Sequence, residues 1–139
     1  MLRIFLDTSA FAKLYIEEYG SGEIGDLVRK ADSLVVSAIV LPETLSALRR
    51  LVREGKITEA DYGLVKERLC RDIADIEVVS ISDETIGKAV AVIERSPIRT
   101  LDALHIGAAL AEGGSLFVTA DSRQAEAARA AGLEVRFAG

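Results

Sequence analysis

Short apolar runs set apart by helical patterns constrain this chain more than any other feature. The runs are residues 3–6 (RIFL), 34–37 (LVVS), 76–81 (IEVVSI) and 115–119 (SLFVT), with a weaker fifth at 134–137 (EVRF). Each is bounded by polar residues and nearly continuous in apolar character, the pattern of a strand buried on both faces. Between them lie helical patterns at about 9–17, 21–31, 40–54, 58–74, 83–95, 101–112 and 122–131. Pro42 suits a first helical turn, Gly55 and Gly132 suit helix stops, and Thr58 to Asp61 reads as a capping box. Strands separated by helices, with no hairpin signal, define an α/β domain around a mostly parallel sheet. At 139 residues one domain, spanning 1–139, is expected, and it is large enough to build a core without disulfides or a structural metal.

Composition narrows the class. Half the residues are hydrophobic and only two are proline, which argues against disorder. The single cysteine, Cys70, excludes an internal disulfide and any multi-cysteine metal site, and it fits a reducing compartment. The N-terminal run is too short for a signal-peptide core, and no stretch approaches the roughly 18 apolar residues of a membrane span. A cytoplasmic protein without a membrane role is the expectation. The net charge of −5 argues against gripping nucleic acid by bulk attraction, while leaving room for local basic patches and bound cations.

Four acids fall at one kind of place. In a parallel α/β sheet, ligands sit beyond the carboxyl ends of the strands. Asp7 closes the run Ile4-Phe5-Leu6, and Asp121 follows SLFVT with one residue between. Glu43 comes shortly after LVVS in "SAIVLPE", and Asp102 opens the helix that leads into the fourth strand. Each has a plain structural reading. Asp7 and Asp121 suit helix N-caps, and Glu43 and Asp102 lie in first turns that favour anions. Asp102 is the hardest to dismiss, because its helix "LDALHIGAALA" is apolar or small nearly all round and is therefore expected to be buried. A buried carboxylate needs a partner, a metal or a proton. No Lys or Arg stands four residues away, and Arg99 lies ahead of the helix. Glu43 and Arg50 share the side of their helix opposite the stripe Leu41, Leu45, Leu48 and Val52, a solvated face unless that stripe is a subunit contact. Carboxylates repel one another, so a cluster of them makes sense around cations. Oxygen ligands point to Mg²⁺ or Mn²⁺ and to metal-assisted phosphodiester hydrolysis.

The stretches "FLDTSAFAKLY", "VSAIVLPETLSALRRL", "RTLDALHIGAAL" and "LFVTADSRQAEAARAAGL" together resemble the PIN-domain ribonucleases, most closely the VapC-type toxins of toxin–antitoxin pairs. The likeness runs over essentially the whole chain. It implies a PIN-like sheet of five parallel strands in the order 3-2-1-4-5, flanked by about seven helices, with strands 1 and 4 side by side. By this resemblance Asp7, Glu43, Asp102 and Asp121 form a catalytic, metal-binding quartet for Mg²⁺, with Mn²⁺ as a substitute. Ser9 and Thr119 occupy the family's D-x-S and T-x-D positions and would orient carboxylates or water. An RNA substrate, a cognate antitoxin and a homodimer are implied with it. Pro42, directly before Glu43, departs from the pattern, and a helix starting a residue or two late would change where Glu43 points.

Other residues read as structural. Asp83 and Glu84 follow the third strand, which the implied order places at an edge, with Ser82 as the cap. Asp61, Asp72 and Asp75 lie in a charged helical region and read as surface. His105, the only histidine, reads as a packed and hydrogen-bonded residue, and Cys70 has no neighbouring base to activate it. Arg49, Arg50, Arg53 and Lys56 complement a helix end. Arg50, and more weakly Lys13, are candidates to contact an RNA phosphate. A receiver domain is disfavoured because Thr8 follows Asp7 where an acidic pair is needed, a D-x-D phosphatase fails at Ser9, and no P-loop is present. The competing class is a catalytically silent PIN-like scaffold for protein binding. The aliphatic helices at 40–54 and 60–73 would supply a dimer face or an antitoxin groove.

Overall fold

The computed structural model describes residues 1–139 and places five parallel strands in the order β3-β2-β1-β4-β5. These are β1 (Arg3–Leu6), β2 (Ser33–Ser37), β3 (Glu77–Val79), β4 (Leu116–Thr119) and β5 (Val135–Phe137). The helices are α1 (Thr8–Ala12), α2 (Ser21–Lys30), α3 (Val40–Arg53), α4 (Glu59–Ala74), α5 (Asp83–Arg95), α6 (Thr100–Glu112) and α7 (Ser122–Ala130). Central β1 explains the apolar run at the start of the chain. Ile4, Phe5 and Leu6 are all fully buried, because helices cover both faces of the sheet.

Alternation along β1 divides the core into two layers. Ile4 and Leu6 join Phe11, Ile24, Leu48 and Leu69 on one face, while Phe5 joins Val35, Ala89, Ile106 and Phe117 on the other. Phe5 pairs with Phe117 in register across β1 and β4, and the rings stack with centroids 5.7 Å apart. The stripe on α3 packs partly inward, with Leu48 buried and Leu41, Leu45 and Val52 half-buried. The exposed aliphatic stripe is instead on α5, where Ile86, Val90 and Ile93 recur at helical spacing.

Local signals shape the connections. Thr58 and Asp61 make the reciprocal capping box of α4, and Ser82 caps α5. Gly55 and Gly132 follow α3 and α7 with φ of +72° and +94°. Pro42 lies inside the first turn of α3, which begins at Val40, so the helix does not start late. Two expected elements are shorter than their sequence patterns. The pattern at 9–17 gives only α1 to Ala12, because the chain tightens there into bonds from Lys13, Leu14 and Tyr15 to residues three places back. Strand β3 keeps three residues of the run 76–81, since it is an edge strand with β2 as its only partner. No helix is long and apolar enough to cross a membrane.

Helix α6 is the buried element expected from its composition, and its closest packing is against α5. At Gly107 a Cβ would stand 2.6 Å from the carbonyl oxygen of Thr85 and 3.0 Å from the backbone nitrogen of Ala89. Replacing a helical glycine by alanine ordinarily stabilises by about 0.5–1 kcal/mol. Here the obstructing atoms are backbone, so overpacking by about 1–3 kcal/mol wins. Gly107→Ala is expected to lower the urea midpoint with an unchanged slope, and a raised midpoint would show that α5 withdraws freely.

Candidate active site

Asp7 leaves β1 at its carboxyl end and is buried, with 1% of its surface exposed. Its Oδ1 accepts from the backbone N–H of Ala10 at 2.9 Å and from Ser9 Oγ at 2.8 Å, while Thr119 Oγ1 donates to Oδ2 at 2.5 Å. The same hydroxyls tie the end of β1 to the end of β4. Ser9 Oγ accepts from Ala120 N at 2.9 Å, and Thr119 Oγ1 accepts from Asp121 N at 3.0 Å. Asp7 is thus an N-cap of α1 and also a carboxylate at the sheet's carboxyl edge, so the two readings of its position hold together.

Asp121 caps α7, its Oδ1 accepting from the N–H groups of Arg123 and Gln124 at 2.9 and 3.3 Å. Buried Gln124 donates from Nε2 to the carbonyl of Asp102 at 3.4 Å, which ties α7 to the first turn of α6. Asp102 Oδ2 accepts from Arg99 Nε at 3.2 Å, so Arg99 does reach the helix it precedes. On α3, Glu43 Oε1 accepts from Thr8 Oγ1 at 2.6 Å and lies 2.6 Å from Nε2 of buried His105.

Asp7, Glu43, Asp102 and Asp121 line one open cleft of about 570 Å³, with Ser9, Arg50, Arg99 and His105 also in its wall. Thr119 stands behind Asp7, hydrogen-bonded to it. Lys13 is elsewhere. Its ammonium donates to the carbonyl of Tyr19 at 2.6 Å, and it does not reach the cleft. Three contacts of the site were beyond the sequence reading: Arg99 on Asp102, and Thr8 and His105 on Glu43. The i, i+3 spacing of Asp102 and His105, which puts both on one face of α6, was the signal available for His105.

The electrostatics separate the acids. Burial pushes the Asp7 carboxyl upward, against the hydrogen bonds from Thr119, Ala10 and Ser9. Burial also raises Asp102, opposed by Arg99 and reinforced by the charge of Asp121. For Glu43, burial pulls upward too, but the bonds from His105 and Thr8, with the charges of His105 and Arg99, bring it below its ordinary value. The donors are oxygen alone, the chemistry that suits a hard divalent cation. Asp102 and Asp121 each use one carboxylate oxygen in these bonds and keep the other for a ligand. No three acidic, histidine or cysteine side chains converge closely enough to hold an ion as they stand. In kind, as oxygen donors, the residues suit such an ion.

The PIN domain family profile matches residues 4–130, and the chain belongs to that family. It is 31% identical over 135 residues to Ribonuclease VapC45 of Mycobacterium tuberculosis, an alignment covering 95% of this chain and 93% of that protein. Among solved structures it resembles FitAcB from Neisseria gonorrhoeae, with a TM-score of 0.73 at 15% identity over 95% of both chains. It also resembles the Mycobacterium tuberculosis toxin VapC20, described as cleaving the sarcin–ricin loop, with a TM-score of 0.69 at 20% identity over 94% of this chain and 95% of that one. These two likenesses establish the fold.

Because Asp7 and Asp102 deprotonate less readily folded than unfolded, each weakens the cation-free fold as pH rises from the ordinary aspartate range toward its raised value. Below an unfolded pKa of about 3.9 both are protonated in either state and the penalty is absent. In EDTA, Asp7→Asn is therefore expected to gain in melting temperature relative to wild type as pH is raised from about 3 to about 7. A gain that grew toward acid instead would show that the fold prefers the ionised carboxylate.

Proposed function

We propose that this chain is a metal-dependent endoribonuclease of the VapC toxin type, hydrolysing RNA phosphodiester bonds. The observation that carries the reading is the gathering of Asp7, Glu43, Asp102 and Asp121 around one cleft at the sheet's carboxyl edge. Similarity to a protein named as a VapC ribonuclease, along nearly the full length of both, supports RNA as the substrate.

Asp102, Asp121, Asp7 and Glu43 would hold Mg²⁺ or Mn²⁺. Such an ion supplies positive charge to the phosphoryl oxygens and lowers the pKa of water, so that hydrolysis proceeds near neutral pH. The chain's own residues prepare the site. Ser9 and Thr119 fix both oxygens of Asp7, and Thr8 and His105 hold Oε1 of Glu43 so that Oε2 is left for a ligand. Arg99 restrains Asp102 from the rim and tempers the repulsion from Asp121.

A cognate antitoxin partner fits this reading, since solved neighbours such as VapBC-5 from Mycobacterium tuberculosis are described as members of toxin–antitoxin systems. A homodimer and a cytoplasmic setting complete the proposal. Light scattering that gave a monomer at high concentration would remove the dimer from it.

Purified protein free of any antitoxin is expected to cut total cellular RNA with Mg²⁺ or Mn²⁺ and not with EDTA, and folded Asp102→Asn is expected to lose the activity. Wild type that neither cuts RNA nor binds Mn²⁺ by calorimetry would leave a protein-binding scaffold in place of the enzyme. Ser9→Ala removes a bond that orients Asp7 rather than a ligand. It is expected to weaken Mn²⁺ binding by about 10–100-fold with the fold intact.

A further inference from the structure

The acidic cleft does not end at the acids. A second recess of about 480 Å³ shares Arg99, Asp102 and Asp121 with it and extends past them to Ser122 and Arg123. A third shares Pro97 and Arg123 with the second and runs on along α7. The three form one surface groove with Arg50 toward one end, the carboxylates on its floor, and Arg99 and Arg123 on the far side. The second recess is polar apart from Pro97 and Ile98, and the third adds Ala127 and Ala130 beside Ser96, Arg123 and Glu126.

Outside this groove five arginines form ion pairs, and Arg53, Arg95, Arg129 and Arg136 form none. Arg29, Arg49, Arg68 and Arg71 each meet a carboxylate on their own or a neighbouring helix. Arg99 engages Asp102 through Nε alone, and its side chain is 82% exposed, so both terminal amino groups face solvent. Arg123 is exposed at the start of α7 and makes no ion pair, although its backbone N–H is held by Asp121. Two guanidinium forks therefore open onto the same recess, a few residues from two of the proposed metal ligands. A planar fork with free donors matches a phosphate in two-pronged geometry.

We infer that Arg99 and Arg123 form a subsite for a backbone phosphate of the RNA strand next to the one being cut, with the strand lying along the groove from Arg50 past the acids to α7. The inference rests on the ribonuclease reading and adds to it the path of the substrate. Phosphate contacts position a strand without reading its sequence, so this subsite sets register and affinity rather than target choice.

The test is steady-state cleavage of a short single-stranded RNA in Mn²⁺, followed from about 50 to about 200 mM KCl. Arg123→Ala is expected to raise KM roughly 3–10-fold with kcat little changed, and to flatten the slope of log(kcat/KM) against log[salt] by about 0.7. Arg123→Lys should restore the slope and part of KM. Arg129→Ala, the same charge loss on the exposed far end of α7, should behave as wild type. If wild type cuts and Arg123→Ala matches it in KM and salt slope, the subsite is wrong and the enzyme reading stands. If wild type cuts nothing with any metal, the enzyme reading falls and takes the subsite with it. A fall in kcat alone would also overturn the proposal, since it would place Arg123 with the reacting centre instead of the flanking strand.

Discussion

The buried carboxylate of Asp7 is the interaction on which the rest of this structure depends. It stands where the two most central strands end, and no lysine or arginine neutralises it. An ionised group in that position costs several kcal/mol of desolvation unless it is hydrogen-bonded. Three donors meet it, from Ala10, Ser9 and Thr119, and two of those groups also bind the backbone at the end of β4. The network therefore starts α1, locks β1 to β4 and presents a carboxylate at the cleft. Its arrangement still leaves burial dominant, which holds the carboxyl above its ordinary range.

Helix α6 plays the complementary part from the other side. Its small residues let it sit close against α5, so its first turn is held firmly beside the sheet edge. From that turn Asp102 faces the cleft, and one turn later His105 reaches Glu43 on α3. A single rigid helix thus sets the relation between two acids that come from different layers of the fold. Gln124 adds a link from α7, its side chain joining the turn that carries Asp121 to the backbone of Asp102. The charge of Asp121 adds to the burial that raises the Asp102 carboxyl, and Arg99 opposes both.

Much of this was legible in the sequence because it is written locally. The strands were visible as apolar runs, the caps at Thr58 and Ser82 as short-range motifs, and the burial of α6 as a helix without a polar face. Strand order needed the family resemblance, since nothing in one strand says which neighbour it pairs with. The partners of Glu43 were not visible, because His105 lies 62 residues away and only the packing of α6 against the sheet brings it near. The pairing of Arg99 with Asp102 was missed for another reason. Arg99 precedes the helix in extended backbone, where its reach depends on how the chain enters α6. The shortening of α1 likewise follows from the loop that must carry the chain on to α2, which its apolar pattern does not encode.

Net charge is a poor guide to what such a molecule holds. A balance of −5 would suggest mutual repulsion with RNA, yet charges act over about 8 Å in physiological salt. Within that range the groove presents carboxylates on its floor and guanidinium groups at its rim, two different fields for two different ligands. The acids need a cation before they can meet a phosphate, and the arginines need none. Under the proposed ribonuclease reading, cations on that floor would turn the groove attractive to a polyanion, while the acidic remainder of the surface still repels it.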